Sequence, residues 1–415
     1  MSVKKGTPAK YGAFCLLALI MGFCAGALVW GLLRLMDAGI DLLWQVLPAK
    51  LGTEHSLIYA LTVCLLGGLL IGLFQKKHGV LPDNMEQVIG RIKNSGRYPY
   101  DRLHIIAIAA LLPLIFGGAL GPEAGLSGII AGLCSLIGDR LRYKGAAVAT
   151  LTETGIMATL GVIFGAPFFG IVNGLEPDDG SERYKNKLVS KRTRIIIYIC
   201  GAAGGMLAFY LLGSIFNIHS GLPRFGAEHA IGWDQWKWAV PLIATGIITA
   251  LFFKTANVLL GRLRQSLNGR VILRCLIAGA CVAVCGYLLP QTMFSGEHQL
   301  AELIAAGNGG KAALMICTAF AKLLLLAICL NMGWRGGNIF PLIFCGALLG
   351  YAFAAMTGMD GAFAAALVIA ATYAYIVRKP VTVAAILLLC FPITYIIPIA
   401  AAAFIAARCP TPFNK

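Results

Sequence analysis

The sequence contains few charged residues for its length, and this scarcity excludes most soluble protein classes. Only 13 % of the 415 residues are charged, whereas 59 % are hydrophobic. A soluble domain of this length does not need so much apolar surface, so the chain is predicted to be an integral membrane protein. Its apolar runs have the length of helices and lack the ten-residue alternation of a β-barrel, which predicts an all-α polytopic fold.

The sequence also lacks the residue patterns of several kinds of site. Its 13 cysteines are scattered mostly through apolar runs, without a CxxC pair or another metal-ligand spacing. We interpret them as small packing residues, and we expect no metal, no cofactor and no disulfide bonds. No Ser/His or paired-Asp arrangement recurs, which argues against an intramembrane protease or another enzyme.

Acidic residues are scarce relative to basic ones, and the basic excess is concentrated in loops. The chain has 34 Lys and Arg against 18 Asp and Glu. Basic segments occur at residues 4–10, 76–102, 183–194 and 262–274. The 217–238 loop carries three tryptophans and few positive charges, which is typical of an outer interface. Both termini and the basic loops are therefore predicted to be cytoplasmic, and the net charge of +16 needs no nucleic-acid partner.

A glycine-rich interruption between two apolar runs carries one carboxylate. It reads Gly117-Gly118-Ala119-Leu120-Gly121-Pro122-Glu123-Ala124-Gly125 and separates residues 103–116 from residues 126–137. Gly and Pro weaken a continuous helix, and broken backbone inside a membrane is tolerated only where it is buried or lines a water-filled cavity. An ionisable group at that depth costs about 3 kcal/mol or more unless partners or water offset it. Glu123 is therefore predicted to be functional.

A second interruption occurs later in the chain, again between apolar runs. It reads Gly333-Trp334-Arg335-Gly336-Gly337-Asn338-Ile339-Phe340-Pro341. Interrupted segments at corresponding positions of two halves indicate a transporter site at the interface between repeats. We therefore expect a cytoplasmic segment at residues 1–10, a first membrane half at 11–194 and a second at 195–409.

Helices that begin just after both interruptions would direct unpaired N–H groups and positive dipole ends at one pocket. Such donors favour an anion and hold a permeating ion without the deep trap that a fixed cation would create. The Glu123 carboxylate can occupy the same place and leave it on protonation. This residue would then be a gate and a carrier of protons.

Taken in order, these motifs resemble the CLC family of chloride channels and chloride/proton antiporters. The segment Gly121–Gly125 is similar to the family's gating signature Gly-Arg/Lys-Glu-Gly-Pro, and Gly336–Pro341 resembles its Gly-Gly-Ile-Phe-Ala-Pro. The segment His78–Pro82 is similar to the family's Gly-Ser-Gly-Ile-Pro, with Gly79 in place of the serine. Weaker likenesses occur at Ala166–Ile171 with Glu176, at Lys379–Thr382, and at Ser295-Gly296-Glu297, where a glycine-rich turn is expected.

The resemblance implies a CLC-like inverted repeat with many tilted and broken helices, and it implies an anion pathway in each subunit of a homodimer. Anion contacts are expected from Gly79, Val80, Glu123, Ala124, Gly125, Asn338, Ile339 and Phe340. Protons are expected to pass through Glu123 and Glu176, although the family's Glu-Glu pair reads Glu176-Pro177 here. The family's last tyrosine has no equivalent, because Tyr395 lies too early, and no C-terminal nucleotide-sensing domain is expected. A place in the bacterial inner membrane is also implied.

Several alternatives stay open at this point. Antiport with protons and passive, voltage- or pH-gated conduction both fit the sequence. A carrier of another substrate would need more carboxylates facing the cavity. Glu176 can instead be a solvated acid at a helix end, Glu153 lies in an apolar run without a clear role, and Lys322 is expected to be structural. Arg335 can either attract anions or anchor a helix at the membrane interface.

Overall fold

The computed structural model describes residues 8–95, 97–140, 191–216, 224–226, 232–306 and 311–412. Within these ranges the backbone is helical or irregular, and its one extended pairing is an isolated antiparallel bridge between Gly121 and Gly337. This confirms the predicted all-α class. In lipid, apolar helices are favoured because each satisfies its own backbone hydrogen bonds.

The described residues before position 141 form six α-helices. α1 is continued by a π-helical turn at Leu42–Val46. The elements are α1 (Pro8–Asp41), α2 (Leu47–Leu51), α3 (Leu57–His78), α4 (Met85–Ser95), α5 (Leu103–Ile115) and α6 (Glu123–Arg140).

The helices after residue 190 alternate between long spans and short pieces. They are α7 (Lys191–Phe216), α8 (Trp233–Trp236), α9 (Ala239–Ser266), α10 (Val271–Leu288), α11 (Glu297–Ala306), α12 (Ala312–Met332), α13 (Ile339–Thr357), α14 (Gly361–Val377), α15 (Pro380–Cys390) and α16 (Ile396–Arg408). The break between α15 and α16 begins at Phe391 and Pro392.

Seven of the described helices are long and apolar enough to cross a membrane. Four further apolar helices, among them α5 and α6, have only 10–17 residues in their apolar part. A helix needs about 20 residues to span the hydrocarbon core, so these four are shorter than a typical span. This arrangement confirms the prediction of a multi-pass helical membrane protein.

Glycines allow the long helices to pack closely. A Cβ at Gly22 in α1 would overlap the carbonyl group of Gly201 in α7, and a Cβ at Gly68 in α3 would lie 2.5 Å from the carbonyl oxygen of Cys275 in α10. Small residues at such contacts are how membrane helices gain packing energy, since lipid supplies no hydrophobic driving force between them. α7 packs along α1. The predicted division of the chain into two halves at residue 194 stays a prediction.

α13 and α14 form the centre of the molecule. Almost every residue of both helices is buried. Asp360 begins α14 by accepting a hydrogen bond from the N–H of Phe363 at 2.8 Å, which satisfies one of the unpaired donors of the first turn. Because α13 is enclosed, its N-terminus at Ile339 opens inside the protein, where it meets the first interruption.

Candidate functional site

The first interruption is a helix end followed at once by a helix start. α5 contains Pro113, whose carbonyl oxygen accepts a hydrogen bond from the N–H of Gly118 at 2.8 Å. Gly117 adopts a φ of +90°, a left-handed conformation that residues with a Cβ rarely adopt, and this turns the chain out of the helix. α6 then begins at Glu123, directly after Pro122. The site therefore depends on the glycine and proline positions noted in the sequence.

Two glycines join the first interruption to the second. The N–H of Gly121 donates to the carbonyl oxygen of Gly337 at 2.9 Å, and the N–H of Gly337 donates back at 2.7 Å. A Cβ at either position would overlap the Glu123 carboxylate. Glycine is needed at both positions because the carboxylate packs directly against the backbone there.

The Glu123 side chain lies where the N-termini of α6 and α13 meet. It is 1 % exposed, and its Oε1 accepts a hydrogen bond from the N–H of Ile339 at 2.6 Å. The backbone amides of Phe340 and of Glu123 itself also interact with this carboxylate. Its Oε2 is buried and has no hydrogen-bond partner among the described residues. One acid thus occupies a position that helix dipoles and unpaired N–H groups prepare for a negative charge.

The structure brings together six of the residues expected to contact an anion. Glu123, Ala124 and Gly125 form the first turn of α6, Asn338 precedes α13, and Ile339 and Phe340 begin it. Ala124, Ile339 and Phe340 are buried, and the Asn338 side chain makes no capping hydrogen bond. The anion-binding role of these residues stays a prediction.

Gly79 and Val80, the other two expected contacts, are exposed at the end of α3. Gly79 caps this helix, donating its N–H to the carbonyl oxygen of Gln75 at 2.9 Å, and its φ is +85°. No hydrogen bond connects either residue to Glu123 in the part of the chain that the structure describes. Pro82, a little further on, approaches the α6 start, because a Cβ at Gly125 would lie 3.8 Å from its Cγ.

Glu176 and Glu153 lie outside the described residues, as does the segment Ala166–Ile171. Their proposed roles therefore stay predictions. Lys322 is described, and it is fully buried in α12. Its Nζ donates to the carbonyl oxygens of Gln291 at 2.9 Å and Met293 at 2.8 Å, which favours the structural role expected from the sequence.

An acidic cavity adjoins the first interruption. Its volume is about 380 Å³, and its carboxylates are Asp37, Asp41 and Glu297. Arg34 pairs with Asp37 at 3.2 Å. Leu120 also lines this cavity and directly precedes Gly121, so the cavity approaches the bridge between the interruptions. Glu297 interacts electrostatically with Glu123, a relation that sequence reasoning missed because it placed Glu297 only in a glycine-rich turn.

Comparison with known proteins decides the family. The sequence profile described as "Voltage gated chloride channel" matches residues 60–410. The chain belongs to this family. It is 25 % identical over 343 residues to "Putative ion-transport protein YfeO" of Escherichia coli O139:H28 (strain E24377A / ETEC), which covers 80 % of this chain and 77 % of that protein.

Solved structures share the fold of this family member. A slow cyanobacterial Cl⁻/H⁺ antiporter superimposes with a TM-score of 0.80 at 17 % identity, covering 95 % of this chain and 93 % of the other. A CLC-type fluoride/proton antiporter gives a TM-score of 0.73 at 17 % identity, with 97 % and 96 % covered. The resemblance drawn from the motifs is thereby confirmed. The protein is an integral multi-pass membrane protein of the CLC anion-transport type, and its bacterial relatives place it in the inner membrane.

Proposed function

We propose that this protein carries chloride, or a similar small anion, along a pathway that Glu123 opens and closes, in exchange for protons. The observation that supports this most directly is the position of the Glu123 carboxylate. Its Oε1 lies 2.6 Å from the N–H of Ile339, at the meeting point of two helix N-termini. The donors that hold the carboxylate are those that a small anion would use, so the two compete for one place.

Protonation supplies a physical reason for the carboxylate to leave. A neutral carboxylic acid loses most of its attraction to the positive helix ends, so an anion can replace it. The acidic cavity beside Leu120 offers a route by which protons reach this acid, because carboxylates attract protons and repel anions. The Cl⁻/H⁺ and fluoride/proton antiporters that share the fold support a halide as the anion and antiport as the mode.

The proposal includes a homodimer with one pathway in each subunit, surrounded by membrane lipid. It requires no cofactor, because the helix termini and one acid supply the anion contacts and the proton site. Glu176 would complete the proton route on the inner side, and Gly79 and Val80 would border the anion's inner exit. Chemical turnover of a substrate is no part of this function, and the family is described as voltage gated chloride channel.

Flux measurements on reconstituted protein test the proposal. Vesicles loaded with chloride are expected to release it faster than protein-free vesicles between about pH 4 and pH 8, with protons moving in the opposite direction. The absence of chloride flux above the protein-free control at every pH would contradict transport itself. Chloride flux without proton movement would instead leave a passive conductance. Fluoride and nitrate, measured in parallel, identify the preferred anion.

A further inference from the structure

Two arginines at the second interruption each have a buried Nε without a hydrogen-bond partner among the described residues. Arg274 stands in the first turn of α10 and is 7 % exposed, and its buried Nε has no hydrogen-bond partner. Arg335 is half-buried, and its buried Nε is likewise without a partner. No hydrogen bond or ion pair connects either guanidinium to another residue in the described ranges. A buried cation is costly unless something compensates its charge.

Hydrogen bonds from side chains to backbone carbonyl groups join the two segments that carry these arginines. The indole N–H of Trp334, next to Arg335, donates to the carbonyl oxygen of Cys275, next to Arg274, at 3.0 Å. The side-chain amide of Gln75 in α3 donates to the carbonyl oxygen of Gly333, which fixes the same segment from a third helix. Trp334 is fully buried, so its hydrogen bond to Cys275 is shielded from solvent.

The charges around the pair are mostly positive. Arg335 interacts electrostatically with Arg264, Arg274 and Asp83. Asp83 is already committed, since its carboxylate accepts from Arg91 Nε at 3.1 Å and from the Tyr98 hydroxyl at 3.0 Å. Arg335 is therefore repelled by two other guanidinium groups, and the one carboxylate that attracts it already has partners. Such an arrangement favours a bound anion, which a guanidinium holds through charge-assisted hydrogen bonds.

Arg274 and Arg335 lie between Glu123 and the basic loop that joins α9 to α10. Arg335 is two residues from Gly337, which bridges to Gly121, whereas Arg274 follows the basic loop after α9. We propose that Arg274 and Arg335 together form a binding site for a small inorganic anion on the inner side of Glu123. This inference rests on the proposed function, because it takes the bound ion to be the transported one.

An anchoring role at the membrane interface would explain the same residues differently, but exposure argues against it. Arg262, Arg264 and Arg270 lie at the same end of the helices and are exposed. These side chains are already placed to reach headgroups. Arg274 is enclosed instead, so its charge acts within the protein.

Crystals grown or soaked in sodium bromide locate the site directly, because bromide scatters anomalously. Bromide is expected between the Arg274 and Arg335 guanidinium groups of the wild-type protein and of Arg270→Gln, a matched control at an exposed arginine. It is expected to be lost from Arg335→Gln. Bromide found elsewhere in wild-type crystals but not at this pair would overturn the inference, as would a carboxylate of residues 141–190 paired with both groups.

The chloride concentration that half-saturates transport, measured with chloride supplied on the side of the membrane where the two arginines lie, gives a second, independent readout. A hydrogen bond to a charged group contributes about 1.5–3 kcal/mol, so Arg274→Gln and Arg335→Gln should raise the half-saturating chloride concentration about tenfold to a hundredfold. Arg270→Gln should leave it unchanged. If the wild type transports chloride and all three variants match it, the arginine site is wrong and the proposed function stands. If the wild type transports nothing yet binds bromide at the pair, the function is wrong and the site stands. Should Arg274→Gln fail to fold, Arg335→Gln and the wild-type crystals still decide.

Discussion

Replacing Gly337 by alanine should force the Glu123 carboxylate out of its position. The new methyl group would overlap the carboxylate carbon, whereas ordinary van der Waals contact begins at 3.4 Å. The hydrogen bond of 2.6 Å between Oε1 and the N–H of Ile339 would be lost with the displacement. Overpacking costs about 1–3 kcal/mol, and a hydrogen bond to a charged group contributes about 1.5–3 kcal/mol. We therefore expect Gly337→Ala to lower the stability by roughly 2–6 kcal/mol.

The test that can refute this reasoning repeats Gly337→Ala in a protein that lacks the Glu123 carboxylate. In a Glu123→Ala background the overlapped atoms are gone, so the same methyl group should cost little. The coupling free energy between the two positions should exceed about 2 kcal/mol, which for a chain of 415 residues is a thermal shift of roughly 2–3 °C. Thermal unfolding of purified protein in detergent measures it. Gly336→Ala is the control, because its Cβ meets Leu120 at 2.7 Å instead of the carboxylate. Equal losses from Gly337→Ala in both backgrounds would refute the placement of Glu123.

Three further predictions test the surroundings of the site and the orientation of the chain. Lys322→Met should lower the melting temperature relative to the exposed control Lys237→Met, because the carbonyl groups of Gln291 and Met293 each lose a donor at about 1–3 kcal/mol. Burial, and then the nearby Asp83, raise the pKa of Tyr98 in the loop before α5. The neutral form of Tyr98 therefore stabilises the folded state below about pH 10, and this contribution is lost as the pH rises further. Wild-type melting temperatures should then fall more steeply above pH 10 than those of Tyr98→Phe; parallel curves would contradict this. In a background without native cysteines, Lys185→Cys should react with an impermeant reagent only from the cytoplasmic side, and Trp233→Cys only from outside. Labelling of Lys185→Cys in intact cells would contradict the predicted topology.

The sequence predicts the start of the site well because its physics is local. Pro122 and the surrounding glycines interrupt a helix wherever the rest of the chain lies, so a carboxylate at a helix start inside the membrane followed from the residues alone. The same holds for α13, which begins just past Gly336, Gly337 and Asn338. The start of α5 at Leu103 also agrees with the beginning of the apolar run at 103–116.

Contacts between distant segments were not predictable in the same way. The bond from Ile339 to Glu123 joins residues 216 positions apart, and a single sequence gives no measure of that distance. Motif order supplied the pairing through the family resemblance. The burial of Arg274 was also hidden, because in the sequence it reads as one more member of a basic loop that begins at Arg262. In the structure α10 packs against α3, and the Trp334 indole bonds to the carbonyl group of Cys275 beside Arg274.

The pH dependence of anion flux in Glu123→Gln tests the central claim most directly. Glutamine keeps nearly the shape of the protonated acid and removes the charge that competes with the anion for the N–H of Ile339. With dimer elution unchanged from the wild type as the folding control, chloride flux between about pH 4 and pH 8 should become less dependent on pH, and proton movement should disappear. A well-folded Glu123→Gln protein that keeps the wild-type pH profile would contradict the account and move the gate elsewhere, with Glu176 and Glu153 as the next residues to substitute.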